Sequence, residues 1–147
     1  MENSTTITLA PGEYLIREKS GCDALYIIKE GQLEVYKTSS SGEHIPLALI
    51  SSGQYVGETA LLLGILNMSN VVALTPVTAV KLSRSSIEAQ LKSVPPWLLT
   101  LTKGLVERLH HANDLLRKNG WVDESLSNRL KAIEVKYRTD SKNKKTG

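Results

Sequence analysis

The sequence predicts a mainly β domain, a sandwich or barrel of short strands, followed by C-terminal helices. Three observations carry this. Runs rich in strand-forming residues recur from residue 6 to residue 83 at a spacing of about 8–12 residues. Turn residues separate them, at Pro11-Gly12, Gly21, Glu30-Gly31, Ser39 to Gly42, Ser51 to Gly53 and Thr75-Pro76. From residue 84 the apolar spacing changes from a period of two to a helical one.

Each element follows in order. TITLA and EYLIRE alternate, the second with Tyr14 and Ile16 on one face. ALYIIK is a nearly continuous apolar run. QLEVYK places Leu33 and Val35 on one face and Glu34 and Tyr36 on the other. IPLALI, NVVAL and VTAVKL complete the strands. TALLLG, after Glu58, breaks the pattern: it lacks strand alternation and ends in Gly64, so a short helix is expected there.

Beyond the strands, Ser85 and Ser86 are candidate helix caps, with Glu88 and Ala89 in the first turn, and this helix ends before Val94-Pro95-Pro96. A longer helix is expected from about Pro96, a favourable first-turn residue, to Lys118, stopping at Asn119-Gly120. Leu98, Thr102, Leu105, Leu109, Ala112 and Leu116 are spaced 4, 3, 4, 3 and 4, a narrow seam suited to pairing with a second copy. Leu101, Val106 and Leu115 are left to face the domain. A last helix over roughly Asp123 to Arg138 aligns Leu126, Leu130, Ile133 and Tyr137. The expected organisation is a β domain over 6–94, a long helix over 95–119, a terminal helix over 120–138 and a basic disordered tail over 139–147.

Composition excludes several classes. A chain of 147 residues suits one domain with a helical appendage. Its 41% hydrophobic and 22% charged residues fit a soluble globular protein. The lone Cys22 permits no internal disulfide, which favours a reducing compartment and a cytoplasmic location. The opening MENSTTITLAPGEY lacks the basic and apolar regions of a signal peptide. The uncharged run 59–80 is broken by Asn67, Ser69, Asn70, Thr75, Pro76 and Thr78, so no membrane span is expected. Residues 1–122 carry 11 basic and 11 acidic side chains, and residues 123–147 carry 7 and 4, so the whole net charge of +3 resides in the C-terminal end. That places no basic face on the domain for nucleic acid. Lys142, Lys144 and Lys145 in the tail read as solvated; their contact with an acidic partner would fade with salt. Catalysis is not expected. The histidines are His44, His110 and His111, the last two point to different helix faces, and no nucleophile elbow, phosphate-binding loop or metal-ligand cluster is present.

One string of residues resembles a known family. Pro11-Gly12-Glu13, Gly21 followed by Tyr26-Ile27-Ile28 and Gly31, then Gly42, Gly53, Gly57-Glu58-x-Ala60-Leu61-Leu62, Val71-Val72-Ala73-Leu74 and VTAVKL together resemble the cyclic-nucleotide-binding domain, over about residues 8–118. The resemblance implies a β-roll of jelly-roll type, with a small helical phosphate-binding cassette in its middle and a long helix behind it. It implies that cassette residues Gly57, Glu58, Thr59, Ala60, Asn67, Met68 and Ser69 face the ligand, with Glu58 accepting from the ribose 2′-hydroxyl. The family pairs the phosphate with an arginine, and counting back from Val71-Val72-Ala73 puts Asn67 at that position. Met68 stands where a small residue lets the phosphate approach, and Val56 replaces the usual aromatic before the Gly-Glu pair.

The family's helices before the first strand have no counterpart, because Pro11-Gly12 comes too early. Transcription factors of the catabolite-activator type also resemble this chain, but the 27 residues after Gly120 are too few for their helix-turn-helix, so sequence-specific DNA binding is not expected.

Magnitude sets the expectation for function. A desolvated charge left without its partner costs roughly 3–5 kcal/mol, which is two to three and a half powers of ten in affinity. The expected function is therefore a non-catalytic, dimeric regulatory or scaffold module with weak or lost nucleotide binding and no cofactor, acting through protein partners. The alternative is a stand-alone cAMP or cGMP receptor, with a basic residue from elsewhere (Arg17, Lys81 or Arg84) reaching the phosphate. Its ligand would reposition the long helix, and His110, His111 or Asn113 would touch the base.

Overall fold

The computed structural model describes residues 4–119 and 123–144, with the side chains at 117 and 137–144 excepted. The strands are β1 (Ser4–Leu9), β2 (Tyr14–Ile16), β3 (Ala24–Glu30), β4 (Gln32–Thr38), β5 (His44–Ser51), β6 (Tyr55–Val56), β7 (Asn70–Ala73) and β8 (Val77–Ser83). The helices are α1 (Glu58–Leu63), between β6 and β7, and then α2 (Arg84–Leu91), α3 (Pro96–Lys118) and α4 (Glu124–Lys144). The strands form two four-stranded sheets, ordered β1-β8-β3-β6 and β2-β7-β4-β5, and all their pairings are antiparallel. This is the β-roll with C-terminal helices that the sequence predicts.

The inner faces of both sheets close on one core of Ile16, Ile28, Leu33, Val56, Val71, Ala73, Val77 and Ala79. In β4 the alternation holds, with Leu33 fully buried and Val35 packed against the core. Glu34, on the opposite face, is 6% exposed; His44 Nε2 meets its Oε1 at 2.5 Å and compensates the burial of the carboxylate. Pro46 is tolerated because β5 lies at a sheet edge, next to an irregularity opposite Val35 and Tyr36.

Helix ends refine the sequence reading. Gly64 caps α1 with φ 66°, a left-handed conformation that glycine adopts without penalty, so the predicted stop is found. The cap of α2 is Ser83, whose hydroxyl accepts from the Ser86 amide at 3.3 Å, rather than Ser85 or Ser86: β8 runs directly into the helix, so the cap falls on the last strand residue. Helix α3 covers the predicted span. Helix α4 starts at Glu124, with the Asp123 carboxylate accepting from the Leu126 amide at 3.0 Å, and continues to Lys144. The expected tail is thus helical through Lys144, and residues 145–147 lie outside the described residues. Helix α4 folds back on β5 and buries Leu126 and Leu130, with 4% and 6% of their surface exposed.

Candidate functional site

The site begins with one backbone conformation. Gly57 precedes α1 with φ 98°, and a Cβ there would sit 2.7 Å from the Ala24 carbonyl oxygen. Only glycine fits this close approach of the β6–α1 turn to β3. The turn aims Glu58, Thr59 and Ala60 at a cavity of ≈ 480 Å³. No side chain caps α1, and the first amides of a helix have no acceptor within it.

All seven cassette residues singled out in the sequence line this cavity: Gly57, Glu58, Thr59, Ala60, Asn67, Met68 and Ser69. Its other walls are core residues such as Ile16 and Val71, the β5 residues Ile45 to Ala48, and Val106, Leu109, His110, Asn113 and Leu116 of α3. Asp123, just before α4, completes the lining.

Asn67 occupies the position that the resemblance gives to the phosphate arginine. It is 8% exposed and makes four hydrogen bonds to the loop between β2 and β3. Its side-chain amide donates to the Gly21 carbonyl at 3.0 Å and to Ser20 Oγ at 3.1 Å. Its backbone amide donates to the Ser20 carbonyl at 2.9 Å, and its carbonyl accepts from the Lys19 amide at 2.6 Å. The Gly21 carbonyl can only accept, which fixes the amide with its hydrogens toward the loop and its oxygen elsewhere. Asn70 fastens the same loop, its Oδ1 accepting from the Glu18 amide at 3.0 Å. Asn67 is thus bonded to this loop, at the position that the resemblance gives to the family's arginine.

The three basic residues considered as substitutes do not line the cavity. Arg17 stacks over the Tyr14 ring at 3.8 Å and borders a separate cavity of ≈ 370 Å³ on the far side of Asn67. Arg84 pairs with Glu88 at 2.8 Å and donates to the Cys22 carbonyl at 3.0 Å. Lys81 sits in β8 opposite Tyr26. Among the described residues, the ionisable groups of the lining are Tyr55, Glu58, His110 and Asp123. The Thr59 hydroxyl donates to Glu58 Oε1 at 3.2 Å, and His110 pairs with Asp114 at 3.4 Å. Cys22 Sγ contacts the Gly57 carbonyl at 3.6 Å; burial pushes this thiol up, away from the reactive thiolate.

Helix α3 divides differently from expectation. Of the seam, Leu98, Leu105, Leu109, Ala112 and Leu116 are exposed, while Thr102 is half-buried and bonds back to the Leu98 carbonyl at 2.8 Å. Leu109 and Leu116 also line the cavity. Val106 faces the domain as expected, but Leu101 and Leu115 are exposed beside the seam. The helix touches the domain along so narrow a strip that its apolar surface exceeds what the cavity covers. His110 and Asn113 line the cavity and the exposed His111 does not. The contributions of β5 and Asp123 were missed, because the stripe of Leu126 and Leu130 marks a packing face without saying which strand receives it.

Fold and site define a class: a β-roll with a ligand-sized cavity between an inserted one-turn cassette and a long C-terminal helix. The cyclic nucleotide-binding domain family matches residues 6–94, more than half of the chain, and the chain belongs to that family. It is 34% identical over 82 residues to the cGMP-dependent protein kinase, isozyme 1, of Drosophila melanogaster, covering 54% of this chain and 11% of that protein. It is 34% identical over 89 residues to a cAMP-dependent protein kinase regulatory subunit of Emericella nidulans, covering 60% of this chain and 21% of that protein. The chain therefore spans less than a quarter of the length of either relative. Among solved structures, the EAL enzyme Bd1971 in its cAMP- and cyclic-di-GMP-bound form shares the fold over 93% of this chain and 34% of that one, at TM-score 0.70 and 20% identity. A regulatory subunit of a cAMP-independent protein kinase A from Trypanosoma brucei matches with 28% identity and TM-score 0.62, over 76% of this chain and 41% of that one. That structure is a mutant bound to cAMP in its A site, with exchanges of glutamate to alanine, threonine to arginine and valine to alanine.

Proposed function

We propose that this chain is a non-catalytic regulatory module that keeps the family cavity, does not hold a cyclic nucleotide tightly, and acts as a homodimer through protein contacts. The carrying observation is the lining: among the described residues it holds no lysine or arginine, and Asn67 turns its donors to Ser20 and Gly21. A cyclic phosphate there would leave water without a cationic partner and beside two carboxylates. The Trypanosoma brucei structure supports the reading, because the cAMP-bound form of that cAMP-independent subunit carries one introduced arginine and two introduced alanines. The pair Asn67-Met68 is where this chain calls for such an exchange.

The dimer is supported by the exposed apolar surface of α3, where Trp97 and Leu105 are 67% and 56% exposed. Patches of this kind mark interaction sites. The lone Cys22 supports a cytoplasmic setting; among the described residues no helix is long and apolar enough to cross a membrane.

Calorimetric titration with cAMP and with cGMP tests the reading. The expected result is no heat at millimolar nucleotide. Micromolar binding of either would replace the reading with a second-messenger receptor, in which Glu58 takes the ribose hydroxyl and α3 responds to the ligand.

A further inference from the structure

We propose that the cavity between the cassette and α3 takes a small organic cation with an apolar body, a protonated amine, in place of an anion. The inference rests on the reading above, that the site has given up phosphate, and it names the chemistry that remains.

Its size is suitable. A volume of ≈ 480 Å³ lies within the range of about 300–1,000 Å³ typical of small-molecule sites. The walls are largely apolar: Ile45 and Leu47 from β5, Val71 from the core, and Val106 and Leu109 from α3. These would cover a hydrocarbon or ring but offer nothing to a charge.

Charge enters from three elements. Glu58 comes from α1, Asp123 from the start of α4, and His110 from α3, already paired with Asp114. The lining thus holds two carboxylates and one histidine, and among the described residues no lysine or arginine. Glu58 is half-buried, where attraction to a cation is screened less than in water. It receives one hydrogen bond from Thr59 Oγ1, and a carboxylate can accept about four. An ammonium group brings three donors and no acceptor, matching that capacity. A carboxylate or phosphate would meet Glu58 and Asp123 and no cationic side chain of lysine or arginine among the described residues.

The test is a charge series on one skeleton, with the full chain and the methyl NMR signals of Ile45, Val106 and Leu109 as readout. Phenethylamine, 2-phenylethanol and 3-phenylpropanoate present the same ring on a short chain as cation, neutral and anion. The amine is expected to bind about tenfold more tightly than the alcohol, since charge-assisted hydrogen bonds are about twice as strong as neutral ones. The carboxylate should bind weakest. Glu58→Gln, which keeps the shape, should bring the amine to the level of the alcohol and leave the alcohol unchanged. Asp123→Asn, which preserves the helix cap, should reduce the same preference by a smaller factor. A thermal melt checks that both variants are folded.

The proposal is overturned if the anion binds as well as the amine, if the preference survives both substitutions, or if none of the three probes shifts the cavity methyls at millimolar concentration. Tight binding of cAMP or cGMP would instead overturn the underlying reading. A flat series without nucleotide binding removes this inference alone.

Discussion

Asn67 donates its side-chain amide to the Gly21 carbonyl at 3.0 Å, across 46 residues of sequence, and so ties the cassette to the loop between β2 and β3. Nearby, Asn70 receives the Glu18 amide at 3.0 Å. Two amide side chains three residues apart thus hold one loop. Both bonds join the segment after α1 to residues far upstream in the sequence.

Removing this tie should cost stability. Asn67→Ala loses the hydrogen bonds to the Gly21 carbonyl and to Ser20, and at a net contribution of about 0.5–1.5 kcal/mol each is expected to destabilise the fold by about 1–3 kcal/mol. Urea denaturation monitored by tryptophan-free probes such as far-ultraviolet circular dichroism would measure it. A variant as stable as the parent would mean that the loop holds itself.

The paired exchange Asn67→Arg with Met68→Ser separates stability from ligand chemistry. It should restore affinity for cAMP or cGMP by roughly two to three powers of ten, as a phosphate gains a guanidinium partner. The same variant should melt at a lower temperature without ligand, because the ties to Ser20 and Gly21 are lost. Calorimetry and a thermal scan read the two effects separately. A loss of stability with no gain in nucleotide binding would show that Asn67 does not occupy the phosphate position.

The α3 seam is best tested at a residue outside the cavity. Leu109→Lys would disturb both a dimer seam and the cavity, since Leu109 belongs to both. Leu105 lies in the seam, is 56% exposed and is absent from the lining. Leu105→Lys is expected to convert a dimer to a monomer at micromolar concentration and leave the melting temperature of the β-roll nearly unchanged. Light scattering reads the mass, and an unaltered mass would remove α3 as the interface.

Helix α4 rests on two leucines. Truncating both Leu126 and Leu130 to alanine removes its buried contact with β5, where each large-to-small change is worth about 2–5 kcal/mol in a full core. The expected response is local: amides from 124 to 136 lose protection from hydrogen exchange, while those of β3 and β4 keep theirs. Loss of protection in both regions together would show that α4 and the β-roll unfold as one unit.

Most of the strands, the short helix after Glu58 and the span of α3 were legible because each rests on local signals: alternation, Gly64, Pro96. The cassette was legible as a set of residues, since Gly57 and Glu58 to Ser69 are close in sequence and a resemblance connects them. The direction in which Asn67 turns was not, because its partners Ser20 and Gly21 lie far upstream. Nor was the Ser83 cap, which depends on a strand passing into a helix without a loop. The burial of Glu34 was equally hidden, for in an alternating strand a charged residue reads as solvent-facing until its His44 partner is known.

That outer face of the second sheet supports a last prediction, on pH. Tyr36 stacks on His44 with ring centroids 3.9 Å apart, and its hydroxyl meets the Tyr14 hydroxyl at 2.6 Å. Burial first, then the hydrogen bond to Tyr14 and the nearby negative charge of Glu34, push the Tyr36 phenol up to about 12. The folded state therefore binds the phenolic proton more tightly than the unfolded chain, where tyrosine titrates near about 10. The resulting stabilisation is complete below about 10 and is lost as pH rises toward about 12, because the unfolded state releases the proton first. Tyr36→Phe should flatten the fall in unfolding midpoint across this window and remove the last step of tyrosinate absorbance in a base titration. Tyr14→Phe should only move that step to lower pH. If the step survives in Tyr36→Phe, the late-titrating group is another tyrosine and the sheet face contributes no such pH dependence.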